Sequence, residues 1–195
     1  MNNVMKIEQA ASVLNTPGVV GVLPTDTLYG LVCRASDKEA VQRLYLLKKR
    51  EGKPGTVVAA SAEQLATLGV KARYLKAVEQ FWPNAISVIV PCSELEYLHL
   101  GLFSLAVRIP RDPALVTLLE KTEPLLTTSA NLPGEPQAAN IQEVQAYFGD
   151  TVDFYVDGGD LSHRKPSTLI RIIDDAIEIL RPGAVIIDEE TGRIA

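Results

Sequence analysis

The chain is poor in the residues that protein-based covalent and metal chemistry usually draw on. Its 195 residues include two cysteines, Cys33 and Cys92, and two histidines, His99 and His163. Two cysteines cannot make a disulfide framework, and neither they nor the histidines fall at metal-ligand spacing, so no protein-held metal is expected. Cys33 follows Leu31-Val32 and Cys92 follows Pro91, which reads as buried filling rather than a nucleophile. The chain contains no G-x-x-x-x-G-K-[ST], no G-x-G-x-x-G and no G-x-S-x-G, and nothing supports a Ser-His-Asp triad. Any nucleotide is therefore held without a P-loop. Apolar runs such as Val19–Leu23 and Ile86–Val90 stop at Pro24 and Pro91, far short of the ~20 residues a membrane helix needs. The N-terminus, Met1-Asn2-Asn3-Val4-Met5-Lys6, lacks the basic-then-apolar order of a secretory signal. These absences point to a cytoplasmic protein with no membrane partner.

What remains is ordinary globular material: 47% hydrophobic and 22% charged residues, enough for a sizeable core and too apolar for disorder. The length favours one domain, taken as residues 1–195. The net charge of −5 argues against a general affinity for nucleic acid. Its distribution is uneven: residues 34–53 sum to +4 and residues 140–195 to −6. A local basic face on an acidic chain suits a small anion better than a long polyanion, although a solvated helix face would look the same.

Helical and strand periods alternate along the chain, without repeats or a dividing linker. Ile7, Ala10, Ala11 and Leu14 predict a helix stopped by Pro17-Gly18, followed by a strand at Val19–Leu23. Ser36 with Glu39 reads as a capping box for a helix ending in Lys48-Lys49-Arg50. Ser61 with Gln64 opens another helix, and Asp112-Pro113 a third. Further helices are predicted at 71–81 and 141–148. Strands are predicted at 56–60, 86–90, 105–109, 125–128 and 153–156, and a hairpin flanks Asp174-Asp175-Ala176. The fold class is α/β or α+β, with a mixed sheet covered by helices.

Five polar segments stand at predicted strand ends, where ligands of open α/β sheets bind. Pro24-Thr25-Asp26-Thr27-Leu28-Tyr29-Gly30 offers hydroxyls, or is simply a capped turn. Lys48, Arg50 and Lys53 stand within six residues and can grip a polyphosphate. Strand alternation puts Ser104, Ala106 and Arg108 on one face, and a buried Arg108 needs an anionic partner, either a ligand or a salt bridge. Thr127-Thr128-Ser129-Ala130-Asn131 supplies small donors at a strand exit, or is an ordinary turn. Pro166-Ser167-Thr168 opens the hairpin that closes at Arg181-Pro182-Gly183.

Taken together and in this order, the segments PTDTLYGL (24–31), KKR (48–50), SLAVRIP (104–110), TSAN with GEP (128–136), DGG (157–159), PST (166–168) and LRPG (180–183) resemble the YrdC domain family, in its short single-domain form. The resemblance runs over residues 7–187 and includes both the K-x-R and S-x-N pairs. It departs at Glu51-Gly52-Lys53-Pro54, one residue shorter than usual, at Trp82-Pro83-Asn84-Ala85-Ile86-Ser87, with serine where the family commonly has threonine, and at Leu132-Pro133-Gly134, where Ser-Gly is usual. The resemblance implies a twisted mixed sheet with a deep, positively charged concave cleft. It implies a nucleotidyltransferase that condenses L-threonine, bicarbonate and ATP, with Mg2+, to threonylcarbamoyl-AMP and pyrophosphate. A separate tRNA threonylcarbamoyl-transferase complex would use that product to make N6-threonylcarbamoyladenosine, and tRNA binding by this chain itself would be weak. Carried over residue by residue, Thr25, Arg108, Thr127 and Ser167 surround threonine. Lys48, Arg50, Ser104, Ser129, Asn131, Gln137 and Arg181 surround ATP, with Lys48 and Arg50 catalytic. Two other readings share the cleft: a paralogue that binds nucleotide or RNA without making this product, and a carbamoyl-adenylate enzyme of hydrogenase-maturation type. Six per cent aromatic residues argues against the first, and the absence of zinc-finger cysteines against the second.

Overall fold

The computed structural model describes residues 3–49, 52–174, 176–188 and 191–194. A short strand β1 (Val4–Met5) leads to helix α1 (Ile7–Leu14) and a hairpin of β2 (Gly21–Pro24) and β3 (Tyr29–Arg34). Helix α2 (Lys38–Leu47) and strand β4 (Thr56–Val58) follow. Next come α3 (Ala62–Leu68) and α4 (Ala72–Val78), the latter extended by a tight turn at Glu79–Phe81. Strands β5 (Ile86–Pro91) and β6 (Ser104–Arg108) flank the single turn α5 (Glu96–His99). The chain continues through α6 (Pro113–Thr122), β7 (Leu125–Ser129), α7 (Ile141–Phe148) and β8 (Phe154–Val156). The hairpin β9 (Thr168–Ile173) and β10 (Ala176–Arg181) follows.

All these strands join one mixed sheet in the order β1-β8-β2-β3-β7-β4-β6-β5-β9-β10. The pairs β1–β8, β8–β2, β4–β6 and β5–β9 are parallel and the others antiparallel. The mixed α/β architecture read from the pattern is the one observed. Among the described residues, no helix is long and apolar enough to cross a membrane.

Strand alternation divides the sheet into two faces. Leu31, Cys33, Val57, Leu126, Val88 and Val107 point to the larger core, where α2, α3, α4 and α7 pack. Both cysteines are buried, and burial pushes the Cys33 thiol up, away from the thiolate a nucleophile needs. The opposite face has a smaller core, in which Val32, Val58 and Leu125 meet α1 and α6. Those two helices cover only part of that face. The positions Gly30, Thr56, Ser87, Ala106, Arg108 and Thr127, which alternate with residues of the larger core, hold small and polar side chains on the uncovered part. Ser87, Arg108 and Thr127 are nonetheless buried, and a buried arginine needs partners.

Three elements depart from the sequence reading. Strand β3 is not predicted, because the polar PTDT turn and Gly30 interrupt its apolar pattern; β1 and α5 are too short to show a period. Gly30 is required where it is, since a Cβ there would lie 2.5 Å from Thr127 Oγ1 on the paired strand β7. The cap of α2 is Asp37 and not Ser36: the Asp37 carboxylate accepts from Ala40 N at 3.0 Å and Gly18 N at 2.7 Å, whereas Ser36 Oγ donates to Glu123 at 3.1 Å. The caps Ser61 and Asp112 and the helix Ile141–Phe148 stand as read. Asp175, at the tip of the predicted hairpin, lies outside the described residues.

The Asp37 cap has a pH signature. Burial pulls its carboxyl upward, but the N–H donors of Ala40 and Gly18 outweigh that and hold its pKa below 3.8. A depressed carboxyl stabilises the fold above its unfolded value and loses that contribution as pH falls through the folded value. Asp37→Ala is therefore expected to cost about 0.5–2 kcal/mol near neutrality, with the difference closing as pH drops well below 3.8. Urea titrations at several pH values check this, and a difference that persisted in acid would refute the capping role.

Candidate active site

The uncovered part of the sheet face forms an open cavity of about 100 Å³, floored by strand ends and walled by the loops that follow them. Of the residues singled out in the sequence, Thr25, Arg108, Thr127, Ser129, Gln137, Ser167 and Arg181 line it. They arrive from β7, from the ends of β6 and β10, and from loops beside β2, β7 and β9, so residues more than 150 positions apart in sequence meet in one hollow. Lys48 and Asn131 are not in the lining and bond Ser129 from behind it. Ser104 stands at the far end of β6 from Arg108, opposite Pro91, and outside the lining. Arg50 lies outside the described residues.

The PTDT segment is a turn closed by its own hydroxyl. Thr25 Oγ1 donates to Leu28 O at 2.7 Å and accepts from the backbone N–H of Thr27 and Leu28 at 3.1 and 3.2 Å. The Thr27 hydroxyl lies 3.0 Å from Thr25 Oγ1. Arg164 Nη1 braces the turn from outside by donating to Thr25 O at 2.8 Å. Tyr29 ties it to the DGG segment, accepting from Gly158 N at 2.8 Å and donating to Gly159 O at 2.9 Å.

This turn aims Asp26 at Arg108. Arg108 Nη2 donates to Asp26 Oδ1 at 3.0 Å, with side-chain exposures of 4% and 8%. The anionic partner that Arg108 needs is thus within the chain. Burial raises the Asp26 carboxyl in spite of the guanidinium beside it, and burial likewise lowers Arg108. Arg108 Nη1 also donates to Ser87 Oγ at 3.4 Å, and Ser87 Oγ lies 2.9 Å from Ser167 Oγ. Arg181 completes the row, donating from Nη2 to Ser167 O and Oγ at 2.8 and 3.0 Å. Arg181, carried over as a nucleotide residue, is therefore bonded to a threonine-side residue, and the two groups meet at Ser167. Gly183 allows this closeness: a Cβ there would lie 2.3 Å from Pro166 O.

On the other wall, the buried Lys48 ammonium binds the S-x-N turn. It donates to Ser129 O at 2.7 Å, to Asn131 Oδ1 at 2.6 Å and to Asn131 O. Ser129 Oγ donates to Asn131 Oδ1 at 2.8 Å, and Asn131 Nδ2 to Glu135 O at 2.6 Å. Lys48 at the end of α2 thus shapes the wall on which Ser129 stands. Sequence reasoning assigned no site role to Asp26 or Ser87. The first lay in a quoted motif beside a better-known threonine, and the second in the divergent WPNAIS segment. Thr128 lines the cavity with its buried Oγ1 unpartnered among the described residues.

Residues 13–183 match the family model Sua5/YciO/YrdC, whose description is "Telomere recombination". The chain belongs to this family. It is 35% identical to the threonylcarbamoyl-AMP synthase of Klebsiella pneumoniae, over 94% of this chain and 100% of that protein. It is 34% identical to the threonylcarbamoyl-AMP synthase of Bacillus subtilis, over 92% of this chain and 54% of that protein. The chain thus spans about half of some relatives and the whole of another. The crystal structure of Sua5 from Pyrococcus abyssi complexed with L-threonine superposes with a TM-score of 0.80 at 29% identity, covering 95% of this chain and 57% of that one. The family membership and the mixed sheet agree with the resemblance read from the motifs.

The Asp26–Arg108 pair is the site's most exposed dependency. Removing one member of a buried pair leaves the other uncompensated, so Asp26→Ala is expected to destabilise the fold by about 3–5 kcal/mol. Chemical denaturation measures it, and a loss below about 1 kcal/mol, the range of exposed pairs, would contradict the burial of this pair.

Proposed function

We propose that this chain is an L-threonylcarbamoyladenylate synthase, condensing L-threonine, bicarbonate and ATP into threonylcarbamoyl-AMP and pyrophosphate. The observation that carries the reading is the convergence of Arg108, Ser167, Arg181 and the Lys48-held Ser129 on one cavity in a YrdC-family sheet. Relatives bearing the synthase name, one of them matched along its whole length, and the threonine complex of the Pyrococcus abyssi protein support it.

The chemistry needs no protein nucleophile. The amine of threonine adds to CO2 derived from bicarbonate, forming a C–N bond and losing a proton to give a carbamate. A carbamate oxygen then attacks the α-phosphorus of ATP; the bond to the bridging oxygen breaks and pyrophosphate leaves with the electron pair. The protein must hold two anions that repel each other and keep water from a labile mixed anhydride. Positioning of this kind can lower a barrier by about 7–11 kcal/mol in well-aligned cases. Fixed donors stabilise the charge that develops at phosphorus.

In this reading Thr25, Arg108, Thr127 and Ser167 form the threonine side, with Arg108 the partner of an anionic group. Ser129, Asn131, Gln137 and Arg181 form the nucleotide side. Lys48 sets the S-x-N wall, and Lys48 and Arg50 supply positive charge for the triphosphate. Ser104, away from the lining, has the weakest claim. Mg2+ enters on the triphosphate: among the described residues no group of three His, Cys, Asp or Glu is placed to hold a metal, and hydroxyls, an amide and arginines predominate among the polar cavity groups. When bound, the ion would screen the phosphate charge. The adenylate is a substrate for a cytoplasmic tRNA threonylcarbamoyl-transferase complex, and the acidic chain itself binds tRNA weakly.

Mass spectrometry of a reaction containing L-threonine, bicarbonate, ATP and Mg2+ is expected to detect the carbamoyl-adenylate, with threonine-dependent pyrophosphate release. Lys48→Ala and Arg50→Ala are each expected to raise the barrier by about 2–3 kcal/mol, and wild-type turnover in both would contradict the nucleotide assignment. Arg108→Ala is expected to raise the threonine requirement more than the ATP requirement; the reverse order would exchange the two sides of the cavity. Salt-dependent RNA affinity without pyrophosphate release would reassign the chain as a binding module.

A further inference from the structure

Ser87 is a buried hydroxyl, 1% exposed, on β5, between β6, which carries Arg108, and β9, which Ser167 immediately precedes. It does not line the cavity, whereas Ser167 does. Counting protons along this row gives Ser87 a definite task.

Arginine has donors and no acceptor. Arg108 Nη1 therefore donates to Ser87 Oγ at 3.4 Å, and Arg181 Nη2 donates to Ser167 Oγ at 3.0 Å. Between the two serines, 2.9 Å apart, only one hydroxyl proton can lie. If Ser167 supplied it, the proton of Ser87 would be stranded. Ser87 Oγ has no hydrogen-bond partner among the described residues other than Arg108 and Ser167, and no solvent reaches it. A stranded buried donor is expensive, so Ser87 is the donor. Ser167 Oγ then accepts twice, from Arg181 and from Ser87, and both lone pairs are filled. Its own proton must leave the row, and the open direction is the cavity.

The Thr25 hydroxyl cannot do the same, because its proton is on Leu28 O.

We propose that Ser87 is a positioning residue that fixes Ser167 as an obligate hydrogen-bond donor into the cavity, for an acceptor oxygen of the amino-acid substrate. This rests on the threonine reading of the cavity. Without the Ser87 hydroxyl, Ser167 can turn its proton elsewhere and offer a lone pair, which an acceptor oxygen does not reward.

The test compares Ser87→Thr with Ser87→Val, which have nearly the same volume and differ in the hydroxyl. L-Threonine and ATP are titrated separately into each variant by calorimetry, after circular dichroism and a denaturation curve establish the folded fraction. Ser87→Thr is expected to bind threonine within about twofold of wild type, and Ser87→Val about fivefold or more weakly, the scale of one lost hydrogen bond. ATP affinity is expected to stay unchanged in both. Equal losses in the two variants, or none in Ser87→Val, would overturn the proposal. Ser87→Ala, which adds no bulk, repeats the comparison should the valine disturb β5: threonine binding at wild-type strength there would also overturn it. If wild type bound no threonine, the reading of the cavity would fail instead, and this inference with it.

Discussion

A guanidinium buried in the face of a β-sheet must be compensated, and the rest of this site is arranged around that requirement. Arg108 has its carboxylate at 3.0 Å, supplied by a turn 82 residues earlier in the chain. That turn keeps its shape because Thr25 spends its hydroxyl on the turn's own backbone, and Tyr29 and Arg164 brace it from two sides. With Asp26 neutralising much of its charge, Arg108 can stay buried without a ligand and still offer N–H groups to the cavity. Burial raises the Asp26 carboxyl and lowers Arg108, as removing both charges from water requires.

The same need for satisfaction runs on across the sheet. Asp26, Arg108, Ser87, Ser167 and Arg181 form one line of bonded groups spanning β6, β5 and the β9–β10 hairpin. Lys48 does an analogous job on the opposite wall, where carbonyl and amide oxygens take its donors. Both buried cations thus hold protein groups in place. Donors already fixed by the fold need not be reorganised when charge develops beside them. The room for it comes from α1 and α6, which cover only part of their face of the sheet.

Much of the architecture was readable in the order of periods: the helices at 7–14 and 141–148, the caps Ser61 and Asp112 and the closing hairpin depend on neighbours a few residues apart. The errors have a common form. Ser36 and Asp37 are both good caps, and the choice went to Asp37 because Ser36 is turned toward Glu123 on a distant loop. Strand β3 was hidden by Gly30, which local propensity disfavours in a strand but which the close approach to Thr127 demands. Ser104 shares a face with Arg108, as alternation requires, yet the cavity ends before reaching it.

The motifs alone were enough to name the family and to pick most of the residues that gather in the hollow, because a ligand site leaves its residue types in the chain wherever they come from. They could not say what Arg108 pairs with, that Lys48 grips the S-x-N turn, or which serine gives its proton to which. Those answers rest on distances between side chains separated by 80 residues or more. Hydrogen-bond direction and ion pairing are settled by what lies within three ångströms, and only the folded sheet brings those groups that close.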